Sequence, residues 1–138
     1  MSAPIMPEAG ISLSRTLALR ARIAVGVAFL VCAMSPQRIQ RVLTWVVKGA
    51  GRPSPPDVAR WRGAVNTVSR RCAGEGCLQR SIAVVLLCRS FGVAPTWKTG
   101  FRPSPFVAHA WVEVDGAAVG EPTAITDFRT VLVVSPHH

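Results

Sequence analysis

Acidic residues are scarce in this chain of 138 residues. It carries 7 Asp and Glu against 16 Lys and Arg, which gives a formal net charge of +9. A balance this basic predicts an acidic partner, which could be nucleic acid, an anionic membrane face, or an acidic peptide or protein. The arginines are spread along the chain, and RNP-like aromatic motifs and zinc-finger spacings are missing. No nucleic-acid partner is therefore expected.

The sequence also lacks an apolar run long enough to cross a membrane. The uncharged stretch 23–34 has 12 residues, whereas a spanning helix needs about 20. Arginines before the run and Ser35 after it imitate a secretory signal. Against that, helical spacing of the large apolar residues favours a helix that faces a protein core. These residues are Leu17, Leu19, Ile23, Val27, Leu30 and Val31.

Cysteine is present at four positions, but not in a pattern that requires disulfides or metal. Cys32 and Cys88 lie in apolar helical runs, where a free thiol behaves as a small hydrophobic side chain. A Cys72–Cys77 disulfide is the alternative, and a reduced, cytoplasmic chain is what we expect. A zinc site of these cysteines with His109 is disfavoured because Cys88 lies roughly 16 Å along the helix from Cys77. No metal or cofactor is expected.

Internal repeats and low-complexity tracts are absent, and helical patterns fill the first two thirds of the chain. A first helix is predicted over residues 14–34. Ser35 and Pro36 begin a second, which ends at Gly49 to Gly51. Asp57 is predicted to cap a third helix over residues 57–71. After a break at residues 74–76, a fourth helix begins at Cys77 and closes at Gly92.

Strand patterns follow from residue 95 onward. "PTWKTGFR", "FVAHAWVEV", "AAVGEP" and "TVLVVS" are predicted strands, separated by turn signals at residues 115–116 and 121–122. Helices followed by an antiparallel meander predict an α+β domain. Within one compact domain we expect a basic helical region, 1–56, and a core, 57–138.

Cys77 is the residue with the strongest chemical signal. A thiol at a helix N-terminus meets the positive end of the macrodipole, which favours the reactive thiolate. The backbone N–H groups there can bind the oxyanion of a tetrahedral intermediate. Gly74 and Gly76 let the backbone approach a substrate carbonyl closely. The competing interpretation, a buried structural thiol, fits Cys88 better.

His109 is the one histidine away from the C-terminal end. Alternation in "FVAHAWVEV" places it on one strand face with Val107, Trp111 and Glu113, opposite the small apolar face that packs on the core. An isolated strand histidine is usually a surface residue. Together with Cys77, however, it forms the pair used for acyl transfer.

Four acids are near enough in sequence to orient the imidazole: Glu113, Asp115, Glu121 and Asp127. Glu113 lies roughly 13 Å along the strand from His109, and Asp115 is explained by turn chemistry. A two-residue hairpin loop would turn Glu121 to the wrong face. Choosing Glu121 therefore predicts a three-residue or bulged hairpin, with Asp127 as the fallback.

The two motifs together resemble a known family. "CAGEGCLQRSIAVVLLCRSFGV" followed by "PFVAHAWVEVDGAAVGEP" is similar to the stand-alone leader peptidases (B2 proteins) of lasso peptide biosynthesis, closely over residues 60–134. The resemblance implies a papain/transglutaminase-like cysteine peptidase fold, with the nucleophile's helix packed on a small antiparallel sheet. It also implies Cys77 as nucleophile, His109 as base and acid, and Glu121 at the position of the triad acid, which is often Asp in relatives.

The resemblance further implies partners. These are the lasso precursor with its leader, a small leader-recognition protein (the B1 or RRE protein), and the macrolactam synthetase that closes the ring. Gly76, Trp97, Phe106 and Trp111 are candidates for the substrate cleft, and each of the aromatic three could equally belong to the core. The alternatives are a non-catalytic basic binding module and a transglutaminase-like acyl transferase.

Overall fold

The computed structural model describes residues 13–74, 76–121 and 125–136. Helices come first and strands afterwards, which confirms the predicted α+β class. The helices are α1 (Arg15–Cys32), α2 (Pro36–Val46), α3 (Pro55–Val68), α4 (Arg70–Ala73) and α5 (Cys77–Ser90). The strands are β1 (Thr96–Pro103), β2 (Phe106–Val114), β3 (Ala117–Ala118) and β4 (Arg129–Val134), with a 3-10 turn (Ile125–Asp127) before β4.

Serine side chains begin the first four helices. The hydroxyls of Ser14, Ser35, Ser54 and Ser69 accept hydrogen bonds from backbone N–H groups in the first turns. The predicted cap at Asp57 is wrong, because Ser54 caps α3 and accepts from the Asp57 N–H. The proline pair after Ser54 fits the first helical turn, where no intrahelical N–H partner is needed. The division at residues 56 and 57 stays a prediction.

Helix α1 faces the core with small side chains rather than large ones. Ala21, Ala24 and Ala28 are buried with Leu17 and Val31, whereas Ile23 is 59% and Leu30 72% exposed. The expectation that all the large apolar residues face the core is therefore wrong. Close packing of α1 on α3 and α5 accounts for this, since alanine lets helix axes approach. No helix within the described ranges combines the length and apolarity needed to cross a membrane.

Helix α5 packs against both the other helices and the sheet. It contacts α1 and α3 as well as β1 and β2, and Ile82, Val85 and Leu87 are fully buried. The sheet is antiparallel in the order β3-β2-β1-β4. Trp97 on β1 is 1% exposed and donates its indole N–H to the Ser81 hydroxyl on α5 at 2.9 Å. This bond joins the sheet to the helix that begins at Cys77.

The β2–β3 hairpin has a tight two-residue loop. Val114 pairs with Ala117, and φ is +53° at Asp115 and +83° at Gly116, as in a type I′ turn. The predicted three-residue or bulged hairpin is therefore wrong. Pairing stops soon after Ala118, because Gly120 has φ +73° and turns the chain away from the strand direction. Glu121 thus leaves the hairpin register.

We expect Ser81→Ala to lower the free energy of unfolding by about 1–3 kcal/mol, because it leaves the buried indole N–H of Trp97 without its acceptor. Ser90→Ala is the matched control on the same helix, where an exposed hydroxyl bonds to the Leu87 carbonyl. It should change stability by less than about 0.5 kcal/mol. Chemical denaturation measures both. Equal effects of the two changes would contradict a linking role for the Trp97–Ser81 bond.

Candidate active site

Cys77 is the first residue of α5, and this helix begins differently from the others. Its N-cap residue is Gly76, and no side chain of the described residues caps the helix. The serine caps of the other four helices occupy the donors that α5 leaves open. The first N–H groups of α5 are therefore available next to the Cys77 sulfur, as an oxyanion site requires.

Gly76 fixes the position of that N-terminus against α4. Its N–H donates to the Arg71 carbonyl oxygen at 2.8 Å. A Cβ on this residue would lie 2.6 Å from the same oxygen. The sequence suggested that Gly76 is small so that a substrate can approach. Its missing side chain also permits close packing of α5 on α4, and the role in substrate approach stays a prediction.

His109 lies half-buried on β2, directly opposite Gly100 on β1. Its ring packs against Trp111 and Phe128, with ring centroids 6.0 Å and 5.8 Å away. Its Nε2 contacts Oε1 of Glu121. Because Nε2 has this partner, Nδ1 is the ring nitrogen left for Cys77.

The sulfur of Cys77 lies at the open part of the β2 edge. Burial alone would raise its pKa, but hydrogen bonds with His109 and with the Ala110 backbone, and the charges of His109 and Arg80, outweigh burial. The pKa of the Cys77 thiol is therefore lowered. The Ala110 N–H is free for this contact because β3 pairs only with Glu113 and Val114. A longer β3 would cover it.

The hydrogen bonds with Cys77 and Glu121 raise the pKa of His109 from 6.5 to about 9, against the opposing effect of burial. The two opposite shifts favour the thiolate–imidazolium form of the pair over its neutral form. The other three thiols behave in the opposite way. Burial raises the pKa of Cys32 to about 11 and raises those of Cys72 and Cys88 as well. All four cysteines are free thiols.

The buried carboxylate of Glu121 contacts side chains from both the sheet and the helices. Oε1 contacts His109, and Oε2 lies 3.4 Å from the guanidinium of Arg62 on α3. Burial alone would raise the pKa of Glu121, but the bond to His109 and the charges of His109, Arg62 and Arg80 lower it. The carboxylate therefore stays ionised beside the imidazolium.

The alternative acids lie elsewhere. Glu113 accepts from the Trp111 indole N–H at 2.8 Å and pairs with Lys98 at 3.0 Å. Asp115 is exposed in the hairpin turn and pairs with Arg52. Asp127, the fallback, is exposed on the 3-10 turn. Within the described ranges no group of three or more His, Cys, Asp or Glu side chains could hold a metal ion.

The aromatic cleft candidates separate in the structure. Trp97 belongs to the core beneath α5, so its placement in the cleft is wrong. Phe106 is 71% exposed at the start of β2 and stacks on Phe101. Trp111 is buried next to His109 and lines a cavity of about 490 Å³ together with Phe128 and Glu121. This cavity lies beside the acid rather than beside the thiol.

Sequence reasoning missed Arg62, Gly120 and Phe128. Arg62 is one of 16 basic residues, and nothing local distinguishes a buried arginine on a helix from a solvated one. Gly120 carried a usable signal, since an isolated glycine within a strand pattern often marks an irregularity. Phe128 follows the 3-10 turn, and only the tertiary fold brings it to His109.

Comparison with known proteins gives one family match. A family model described as the Transglutaminase-like superfamily matches residues 21–133. The matched span runs from α1 to β4 and includes Cys77, His109 and Glu121. Searches of curated proteins and of solved structures gave no match.

We expect Cys77 to be alkylated by iodoacetamide well before the other three thiols near neutral pH, because only its pKa is lowered. His109→Ala removes the main lowering contribution and leaves only the Ala110 backbone and the charge of Arg80 to oppose burial. The reaction of Cys77 should then require higher pH. Peptide mapping by mass spectrometry across a pH series measures this. An unchanged pH profile in His109→Ala would contradict the ion pair.

Gly76→Ala should slow alkylation of Cys77 and lower the free energy of unfolding by about 1–3 kcal/mol, because the new Cβ overlaps a backbone oxygen. Gly26→Ala is the control, since a Cβ there meets nothing within 4 Å. The same two measurements apply to both variants. Normal alkylation in Gly76→Ala would show that the packing of α5 on α4 does not position the thiol.

Proposed function

The chain belongs to the transglutaminase-like superfamily, and from this premise we propose that it is a cysteine peptidase that removes the leader from a lasso peptide precursor. The superfamily match supports a fold of the cysteine protease or acyl transferase type. The peptidase activity, the substrate and the partners are the parts that we propose.

One observation carries the proposal: the continuous set of contacts Cys77–His109–Glu121. The thiol pKa is lowered, the imidazole pKa is raised to about 9, and the carboxylate pKa is lowered. A nucleophile, a proton carrier and an orienting acid are the three groups that acyl transfer from an amide requires. A binding module has no need to hold one of its four thiols as a thiolate.

The reaction would proceed through a thioester. The Cys77 thiolate attacks the carbonyl carbon at the leader–core junction, and the Cys77 N–H donates to the resulting oxyanion. His109 gives its proton to the core amine as the C–N bond breaks. Water then loses a proton to His109 and attacks the thioester. The leader leaves as a carboxylic acid, and the thiolate–imidazolium pair returns.

The choice of a leader peptide as substrate rests on the resemblance of the two site motifs to lasso leader peptidases. That family works with a leader-recognition protein, and the macrolactam synthetase uses the released core. The net charge of +9 suits an acidic leader. It suits other acidic partners equally.

Acyl transfer to an amine is the second candidate, because the superfamily match supports it to the same degree. The Cys77–His109 pair would form the same thioester in both reactions. The difference lies in the acceptor, which is water for a peptidase and an amine for a transferase. Only the products separate the two.

The test is cleavage of a leader-bearing lasso precursor, with its leader-recognition protein present, followed by mass spectrometry. We expect the unmodified chain to release the leader as a free acid and Cys77→Ala to release none. Cys32→Ala is the matched control, since the pKa of this thiol is raised to about 11, and it should cleave normally.

Three outcomes would contradict the proposal. Equal cleavage by Cys77→Ala would remove this thiol from the chemistry. A leader joined to an added amine, with no free acid, would favour the transferase. Absence of cleavage together with an unreactive Cys77 thiol would favour the non-catalytic binding module.

A further inference from the structure

Arg62, on α3, takes part in the contacts around the candidate site. It is 6% exposed, and its Nη2 lies 3.4 Å from Oε2 of Glu121. The other carboxylate oxygen contacts His109. Glu121 therefore connects an arginine of the helical layer to the histidine of the sheet.

The backbone next to Glu121 is shaped around the same arginine. A Cβ on Gly120 would lie 2.9 Å from the Cδ, Nε and Nη1 atoms of Arg62. The guanidinium thus packs against the turn at which the chain leaves β3. Because Gly120 has φ +73°, this turn sets the direction in which Glu121 leaves the backbone.

From this geometry we propose that Arg62 is a positioning residue that holds the Glu121 carboxylate ionised and directed at Nε2 of His109. The effect of Arg62 on catalysis rests on the proposed peptidase function, whereas its contact with Glu121 does not. Arg62 acts through Glu121 and needs no contact with the substrate.

Several charged groups face Glu121 from the elements packed around it. His109 on β2, Arg62 on α3 and Arg80 on α5 all favour its ionised form. Lys98 and Glu113 line the same cavity as Glu121 but form an ion pair with each other. Arg80 also donates to the Cys72 carbonyl at 2.8 Å, so its guanidinium is held at α4.

A buried carboxylate that loses a nearby cation takes up a proton more readily. Removing Arg62 should therefore raise the pKa of Glu121. A protonated or displaced Glu121 would no longer hold the His109 ring and its imidazolium form. Proton delivery to the leaving amine would then slow, whereas substrate binding would change little.

The direct test is the pKa of Glu121 itself. The chain has only four glutamates, Glu8, Glu75, Glu113 and Glu121. Carbon-13 labelling of glutamate carboxyls therefore gives few NMR signals. The signal that disappears in Glu121→Gln is the signal of Glu121. In Arg62→Gln we expect the pKa of Glu121 to rise by roughly one unit or more. Arg62→Lys keeps the positive charge, so the pKa of Glu121 in this variant should stay close to that in the unmodified chain.

Arg60→Gln is the matched control, because it makes the same chemical change on an exposed residue of the same helix. It should leave the pKa of Glu121 unchanged. If Arg62→Gln does not fold, Arg62→Met fills the space of the arginine stem without a charge and serves the same titration. An unmoved pKa of Glu121 in the folded neutral variant would overturn the proposal.

A double-mutant cycle separates positioning from a general structural effect. Arg62→Gln should lose roughly tenfold in kcat for leader cleavage, with KM little changed. In a Glu121→Gln background, Arg62→Gln should lower kcat by less than about twofold further. A further tenfold loss of kcat in that background would show that Arg62 does not act through Glu121. If the unmodified chain cleaves nothing and its Cys77 thiol is unreactive, the peptidase proposal fails, and the NMR titration still decides the role of Arg62.

Discussion

The buried carboxylate of Glu121 is the constraint on which the arrangement around the site depends. An ionised group removed from water must be paired, and the side chains that contact this one come from different layers of the fold. His109 belongs to β2 and Arg62 to α3. The helices and the sheet must therefore meet at this side chain. Shortening of β3 at Ala118 and the turn at Gly120 are what bring the carboxylate there.

Two thiols on α5 show how strongly position controls reactivity. Cys77 begins the helix, and Cys88 lies in its last turn. Burial raises the pKa of Cys88 and opposes ionisation of Cys77 as well. The imidazole of His109 and the Ala110 N–H reverse the outcome at Cys77 alone. Burial then becomes useful, because exclusion of water strengthens the interactions that stabilise the thiolate.

The sequence predicts the elements of this fold better than their connections. The bounds of β2 and the start of α5 follow from local patterns, and so does the proposal that Cys77 and His109 act together. The hairpin was predicted wrongly because continued strand pairing was assumed as far as Glu121. A glycine with positive φ ends that pairing. Likewise, helical spacing in α1 cannot tell which of two apolar faces is buried, and the alanine face is the buried one.

The choice of Glu rather than Asp at position 121 fits the backbone and the arginine around it. The resemblance to lasso leader peptidases implies Asp or Glu at the position of the triad acid, and this chain has Glu121. Here the carboxylate uses one oxygen for His109 and the other for Arg62, from a backbone that has already left the strand at Gly120. The additional methylene of Glu lengthens the reach of the side chain from that displaced backbone. Gly120, Glu121 and Arg62 therefore form one unit, because a side chain at position 120 would displace the guanidinium that keeps the carboxylate ionised.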